Sequence, residues 1–433
     1  MSTSYLDLAG LEYLLNRLSE IYVTKEDYHR TASVIYAFHI DGSVSDPSNR
    51  VTYLEEAIDK TPAYMNYSTG KFVYGSWKNA FFMPRPCMLR YDGIVDYYLD
   101  EDDYSLKEDG TASDIADTSY QGNAMMEWGQ DGKKIWYKVV ADENDSTSGT
   151  VYISDGKADN SYCAWSFINN QGNEVDHFYT PIYNGSIVND GTNDVLRSMS
   201  GLKISQSVSG TDYINASLAN NQSSSVLWNL EVLSDRILIN FLLILIGKST
   251  DTQGVFGNGL ATGHQTALTN YTTGDFDDAG LFFGYNDNTH GVKVFGMENW
   301  WGAQWRRVSG YILRNGVQKI KLTYGLQDGS NSNGYNATGD GYLTVVEDAI
   351  AGSSGGYIDE MNFGQYGMFP TSAAGTATTH YCDGAFYGNG YALFGGASAY
   401  SSQCGALACN LNSMVTYTGW AYGGAISCKP NNT

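Results

Sequence analysis

The chain has 433 residues, 42% hydrophobic and 17% charged, with 47 Asp and Glu against 25 Lys and Arg. That hydrophobic share excludes a disordered chain, and the length predicts about two or three domains. A net charge of −22 repels phosphate backbones and anionic lipid, which argues against nucleic-acid and membrane partners.

The elements follow in chain order. The first residues, "MSTSYLDLAG", have neither the basic nor the apolar stretch of a secretory leader. With six scattered cysteines, this predicts synthesis in a reducing cytoplasm. Leu8, Leu11, Leu15, Leu18 and Tyr22 are spaced three, four, three, four, a seam that predicts a helix packing on copies of itself or on another protein. We assign residues 1–28 to this attachment or oligomerisation segment. Residues 29–175 read as a β-rich spacer domain. The runs "SVIYAFHI", "KFVYGSW", "GIVDYYL", "KKIWYKVV" and "TVYIS" alternate with turn signals. "YLEEAIDK" (53–60) predicts a short helix between them. The prolines of "MPRPCML" predict an edge strand or a crossover.

A different composition starts at 176. "SSSVLWNLEVLSDRILINFLLILIGKST" predicts one long buried helix after a polar start. Its apolar run, 237–246, falls short of the ~20 residues that span a bilayer. Short strands are expected at "QKIKLTY" and "GYLTVV". The fold class is multidomain α+β. Trp300, Trp301 and Trp305 are expected in the core.

Few residues promise chemistry. No Walker A, HExxH, GxSxG or strand-borne GxGxxG motif is present, and the six histidines share no ligand spacing. The carboxylates Asp100, Glu101, Asp102 and Asp103 are neighbours in a loop, and a glycosidase needs two facing each other across a cleft. The oxygen-rich loops "DGSVSDPSN" (41–49) and "DGSNSNGYNATGDG" (328–341) are the places where Ca²⁺ would fit. Cys404 and Cys409, if on one strand, would face opposite ways. No metal ligand or catalytic residue is assigned.

The C-terminal third carries a resemblance. "NWWGAQWRRVSGYI" (299–312), then "ALFGGASAYSSQCGALACNLN" (392–412) and "GWAYGGAISC" (419–428) resemble the C-type-lectin-like domain related to the formylglycine-generating enzymes. The closing stretch is similar to the variable region of phage proteins diversified by retroelements, the tropism-determinant group. "YLDLAGLEYLLNRL" and "KNAFFMPRPCML" are similar to segments of phage and prophage tail-fibre or baseplate proteins. The resemblance implies that residues 176–433 form a C-type-lectin-like ligand-binding domain, with a variable region at about 380–430. Gly395, Gly396, Gly405, Leu407, Leu411 and Trp420 would be its fixed scaffold. Tyr387, Asn389, Tyr391, Ser398, Tyr400, Ser401, Gln403, Thr416, Tyr417, Thr418 and Tyr422 would face outward and bind. It further implies a homotrimer at a virion tail tip, contacting other tail or baseplate proteins and a bacterial surface protein or glycan. The enzymes of that superfamily hold copper on a close cysteine pair. Here Tyr400 stands where the first would fall, so the expectation is a binding protein, not an enzyme. The alternatives are a tail-associated glycan depolymerase and a purely structural fibre or baseplate subunit.

Overall fold

The run "IYAFHI" turns Phe38 and Ile40 inward, and "VTYLE" does the same with Val51 and Tyr53. These segments, Ile35–Ile40 and Val51–Glu55, pair antiparallel with Phe38 opposite Tyr53 and Ile40 opposite Val51. Asp145–Ser154 and Trp136–Asp142 complete a four-stranded sheet. The computed structural model describes residues 33–269, 271–323, 336–347 and 355–431. The expected N-terminal helix, within 1–28, lies outside them.

The helix expected at 53–60 is absent. Tyr53 to Glu55 belong to a strand, and hydrogen-bonded turns follow. Burial of Tyr53 against the sheet, with its hydroxyl donating to Leu245 O at 2.6 Å, outweighs local helix propensity.

A six-stranded antiparallel sheet runs in the order Val226–Leu230, Ile426–Pro430, Phe178–Pro181, Gly122–Trp128, Arg85–Arg90, Val95–Tyr98. It corrects two expectations. "MPRPCML" is an inner strand, not an edge. The ladder to Val95–Tyr98 begins only at Cys87, and Pro86 contributes its carbonyl, which accepts from Leu99 N at 2.9 Å. "VLWNL" is a strand rather than the start of a long helix, because Trp228 and its neighbours pair with the last strand. Strands from both sides of residue 175 lie in this sheet.

Three helices are described. Helix α1 (Gly210–Leu218) starts at Ser209, whose hydroxyl accepts from Asp212 N. Helix α2 (Leu233–Gly247) is buried from Leu233 to Ile246 and ends where Lys248 turns left-handed, at φ 49°. Helix α3 (Thr252–Phe256) is capped by Asp251. An apolar surface all round places α2 at the centre. Phe241 meets Phe38 and Tyr137 of the four-stranded sheet. On another side, Asn240 accepts from Trp300 Nε1 at 3.0 Å and donates to Ala406 O at 2.8 Å. One core cluster therefore joins both halves of the chain.

The charges of α2 are paired. Asp235 meets Lys429 at 3.0 Å, and Glu231 lies between Arg236 (3.2 Å) and Arg306 (3.3 Å). Removing one member of such a pair strands the other without water, which costs about 3–5 kcal/mol.

The third large sheet has eight strands. Its path is Leu343–Val346, Val317–Ile320, Trp305–Arg314, Tyr391–Phe394, Cys409–Ser413, Gly384–Tyr387, Gly356–Tyr357, with Tyr422–Gly423 parallel beside Trp305. The strands expected in "QKIKLTY" and "GYLTVV" are both here. Trp300, Trp301 and Trp305 are fully buried, as expected. The architecture is mostly β, and the long central helix lies against its sheets.

Candidate binding face

Strand Trp305–Arg314 brings Trp305 to one end of the eight-stranded sheet, with Leu393, Ala397, Ala408 and Ala421 around it. The small alanines let larger rings approach. Phe386 and Tyr400 both stand edge-on to the indole, with centroids at 5.8 and 5.3 Å, and edge-on to each other at 5.6 Å. Edge-to-face pairs of this kind add about 0.5–1.5 kcal/mol each beyond their buried area. Tyr422 and Trp420 pack on the same cluster, both half-buried. Tyr417 stands edge-on to Tyr422 at 5.0 Å and is 51% exposed. Burial, then the nearby Tyr400 and Tyr417, push the Tyr422 phenol up to about 12. Phe386, Tyr400, Trp420 and Tyr422 thus pack, half-buried, around the Trp305 cluster, and the exposed Tyr417 leans on Tyr422.

The loop that carries part of this surface is tied down through its backbone. Gly210 N at the start of α1 donates to Val415 O, and Arg307 Nη2 donates to Tyr417 O, both at 2.7 Å. Gln304 Nε2 donates to Trp420 O at 2.7 Å and Trp305 N to Ala421 O at 2.8 Å. The side chains of Thr416, Tyr417 and Thr418 stay exposed. A fixed backbone with free side chains lowers the ordering cost of binding.

Two glycines hold the adjoining turn. Gly396 (φ 80°) leaves no room for a Cβ, which would lie 2.4 Å from Cys404 Sγ. At Gly405 (φ 147°) it would lie 1.9 Å from Asp383 Oδ1. Leu407 and Leu411 are buried. Trp420 was expected among the fixed core residues, but it is half-buried and belongs to the surface as well.

The outward set divides. Tyr400, Tyr417 and Tyr422 come together. Thr416 and Thr418 flank Tyr417. Ser401 and Gln403 are half-buried in a 3₁₀ turn, Ser401–Gln403, beside Tyr400, with Ser401 N donating to Ala261 O at 2.9 Å. Asn389 and Tyr391 group elsewhere. Asn389 Oδ1 accepts from Asn315 N at 2.7 Å, and Arg314 lies over the Tyr391 ring at 5.4 Å. Two residues contradict the expectation. Tyr387 is 1% exposed and Ser398 is 0% exposed. Tyr387 ends a strand paired on Leu411, so its ring enters the core. Ser398 N donates to Ala303 O, which draws that turn under the surface. Phe386, Met414 (55% exposed) and the positioning residues Gln304 and Arg307 were missed. The alternation along "GAFY" was the available signal, since Phe386 and Tyr387 must point opposite ways.

The thiols show no sign of activation. Cys404 and Cys409 are buried, and burial raises both. Only Cys409 lies in a strand, so the alternating-face argument does not reach Cys404. In the loop at 41–49, Asp41 and Asp46 spend carboxylate oxygens on the backbone of Ser43, Ser48 and Asn49. The 328–341 loop is described only from Asn336, whose Oδ1 accepts from Thr338, Gly339 and Asp340. Among the described residues no group of three or more His, Cys, Asp and Glu is placed to hold a metal.

The acidic stretch at 100–103 also divides. Asp100 and Asp103 cap turns. Glu101 lines a cleft of about 510 Å³ with Tyr36, Phe81, Asp131 and Asp155, and burial, then Asp102, raise its carboxyl. No family model matches the chain, and no curated protein matches it.

Proposed function

We propose that this is a receptor-binding protein of a phage or prophage tail, which attaches to a bacterial surface protein or glycan through the aromatic face. The observation that carries the reading is that face: Phe386, Tyr400, Trp420, Tyr422 and Tyr417 assembled over Trp305, on a backbone fixed by Gln304 and Arg307. Tyr and Trp supply large amphipathic contact area at low entropy cost and dominate binding hot spots. In this reading residues 176–433 hold a C-type-lectin-like domain, and Thr416, Tyr417, Thr418, Tyr400 and Ser401 are positions that a retroelement varies. Display as a homotrimer at the tail tip, held by residues 1–28 and neighbouring tail proteins, turns weak contacts into avidity. The DNA around the gene tests the diversification. A reverse transcriptase and a template copy of codons 380–430, differing mainly at adenines, are expected. Their absence leaves a fixed face and removes diversification from the reading.

One observation favours a second reading, a glycan depolymerase. Glu101 lines a cleft with the stacked rings of Tyr36 and Phe81 (5.8 Å, 9°) and with Asp131 and Asp155, so the cleft holds more than one carboxylate, as glycoside hydrolysis requires. Oligosaccharide released from host polysaccharide by the protein, and lost in Glu101→Gln, would establish it. No release by either protein removes it.

A further inference from the structure

Next to the aromatic face, the chain folds into a polar cleft of about 380 Å³, within the ~300–1,000 Å³ of small-ligand sites. Three segments build it, around residues 260–269, 271–276 and 285–291. Its floor is apolar: Leu260 is 5% and Phe276 7% exposed. Its wall is aromatic. Tyr285 is 39% exposed and lies against the His290 ring at 4.4 Å, and Phe283 stands edge-on behind it at 5.2 Å. Its rim carries hydroxyls from Thr269 and Thr289 and the Asp275 carboxylate, all exposed.

The cleft is held open by bonds in its walls. Ala261 N and Thr262 N both donate to Asn288 O, at 2.8 and 2.9 Å. His290 Nδ1 is fixed on Asp287 Oδ2 at 2.7 Å, which sets the ring's tilt. Tyr271, which lines the site, donates to the buried Glu298 at 2.5 Å.

The geometry points to a carbohydrate-binding cleft that takes a neutral sugar ring. The C–H face of a pyranose is apolar and weakly positive, and it complements the exposed surface of the Tyr285–His290 ring pair. Its hydroxyls meet the Asp275 carboxylate and the two threonines. The lining contains no Lys or Arg, and the chain carries −22, so acidic sugars are repelled. This site borders the aromatic face, and Tyr400, Tyr417 and Tyr422 are not among its lining residues. The two are neighbours, since Ser401 N donates to Ala261 O, and Trp420 and Tyr271 both pack on the cluster that holds Leu260.

The test titrates the full chain with glucose, galactose, mannose, N-acetylglucosamine, N-acetylgalactosamine and N-acetylneuraminic acid, read by saturation-transfer NMR and calorimetry. At least one neutral sugar is expected to bind and N-acetylneuraminic acid to fail. Tyr285→Ala weakens that binding about tenfold, Tyr285→Trp retains it, and Asp275→Asn weakens it less than Tyr285→Ala. The triple change of Tyr400, Tyr417 and Tyr422 to Ala leaves it intact. The proposal is overturned if no neutral sugar binds, if Tyr285→Ala binds as well as the parent, or if N-acetylneuraminic acid binds best. Loss in the triple variant instead of Tyr285→Ala would move the sugar to the aromatic face and end the cleft assignment.

Discussion

Single residues show most sharply which polar groups serve the surface and which only tolerate burial. Tyr387 is buried, and among the described residues its hydroxyl has no hydrogen-bond partner. A buried donor left unmet costs about 1–3 kcal/mol. Tyr387→Phe is therefore expected to be neutral or to stabilise by about 1 kcal/mol in urea unfolding, and to leave ligand binding unchanged. A clear loss of binding would return Tyr387 to the face. Glu298 and Lys293 are the second case. Burial raises the Glu298 carboxyl from 4.5 to about 7 and lowers the Lys293 ammonium from 10.5 to about 7. Between pH 4.5 and 7 the folded state holds the Glu298 proton that the unfolded chain has released, so this group lowers stability as pH rises. Between pH 7 and 10.5 the unfolded chain holds the Lys293 proton that the folded state has lost, so stability rises with pH. The two contributions together have a minimum near neutrality. Glu298→Gln should remove the falling limb and Lys293→Met the rising one, both measured by denaturant titration across pH. A variant that keeps its limb would show the titration lies elsewhere. Glu298→Gln also removes an acceptor oxygen from the three donors on that carboxylate, Tyr271 Oη, Gly274 N and Asn299 Nδ2, which offsets part of the stability gained above pH 7.

Elements show how far local pattern reaches. "ILINFLLILI" was legible as a buried helix because it is apolar all round and too short to cross a bilayer. Fully buried side chains such as Leu242, Leu243 and Ile244 contribute about 1.5–3 kcal/mol each. Leu243→Ala should cost about 2–5 kcal/mol in denaturant unfolding, and a cost under 1 kcal/mol would mean the helix can collapse onto the gap. The strands around Phe38, Trp136 and Val151 were legible too, because alternation and β-branching act locally. "YLEEAIDK", "VLWNL" and "MPRPCML" were not. In each, a partner distant in sequence decides: Leu245 O for Tyr53, the last strand for Trp228, and the late start of a ladder for Pro86. The binding face was half legible. The aromatic and small residues of 386–422 stood out by composition, but which ring turns in depends on register. Strand Gly384–Tyr387 sends Tyr387 to the core, and Phe386 goes to the surface with Tyr400.

At the scale of the whole molecule, the last strand, Ile426–Pro430, lies between Val226–Leu230 and Phe178–Pro181, two strands from the strand Arg85–Arg90. A domain boundary at 175 could not be tested by composition, because a sheet shared between distant segments leaves no mark on either one. The aromatic face has its own base in the eight-stranded sheet, since Trp305 and Arg307 lie on one of its strands and Gln304 immediately precedes that strand. The central claim is that this face, and not the core beneath it, binds the target cell. The decisive measurement compares the parent protein with the variant Tyr400→Ala, Tyr417→Ala, Tyr422→Ala on a panel of bacterial strains, by equilibrium binding of labelled protein. Circular dichroism and thermal unfolding of both proteins establish that the variant is folded. The account predicts that the parent binds some strains and that the folded variant loses about tenfold or more in affinity for them. Undiminished binding by the folded variant would contradict it.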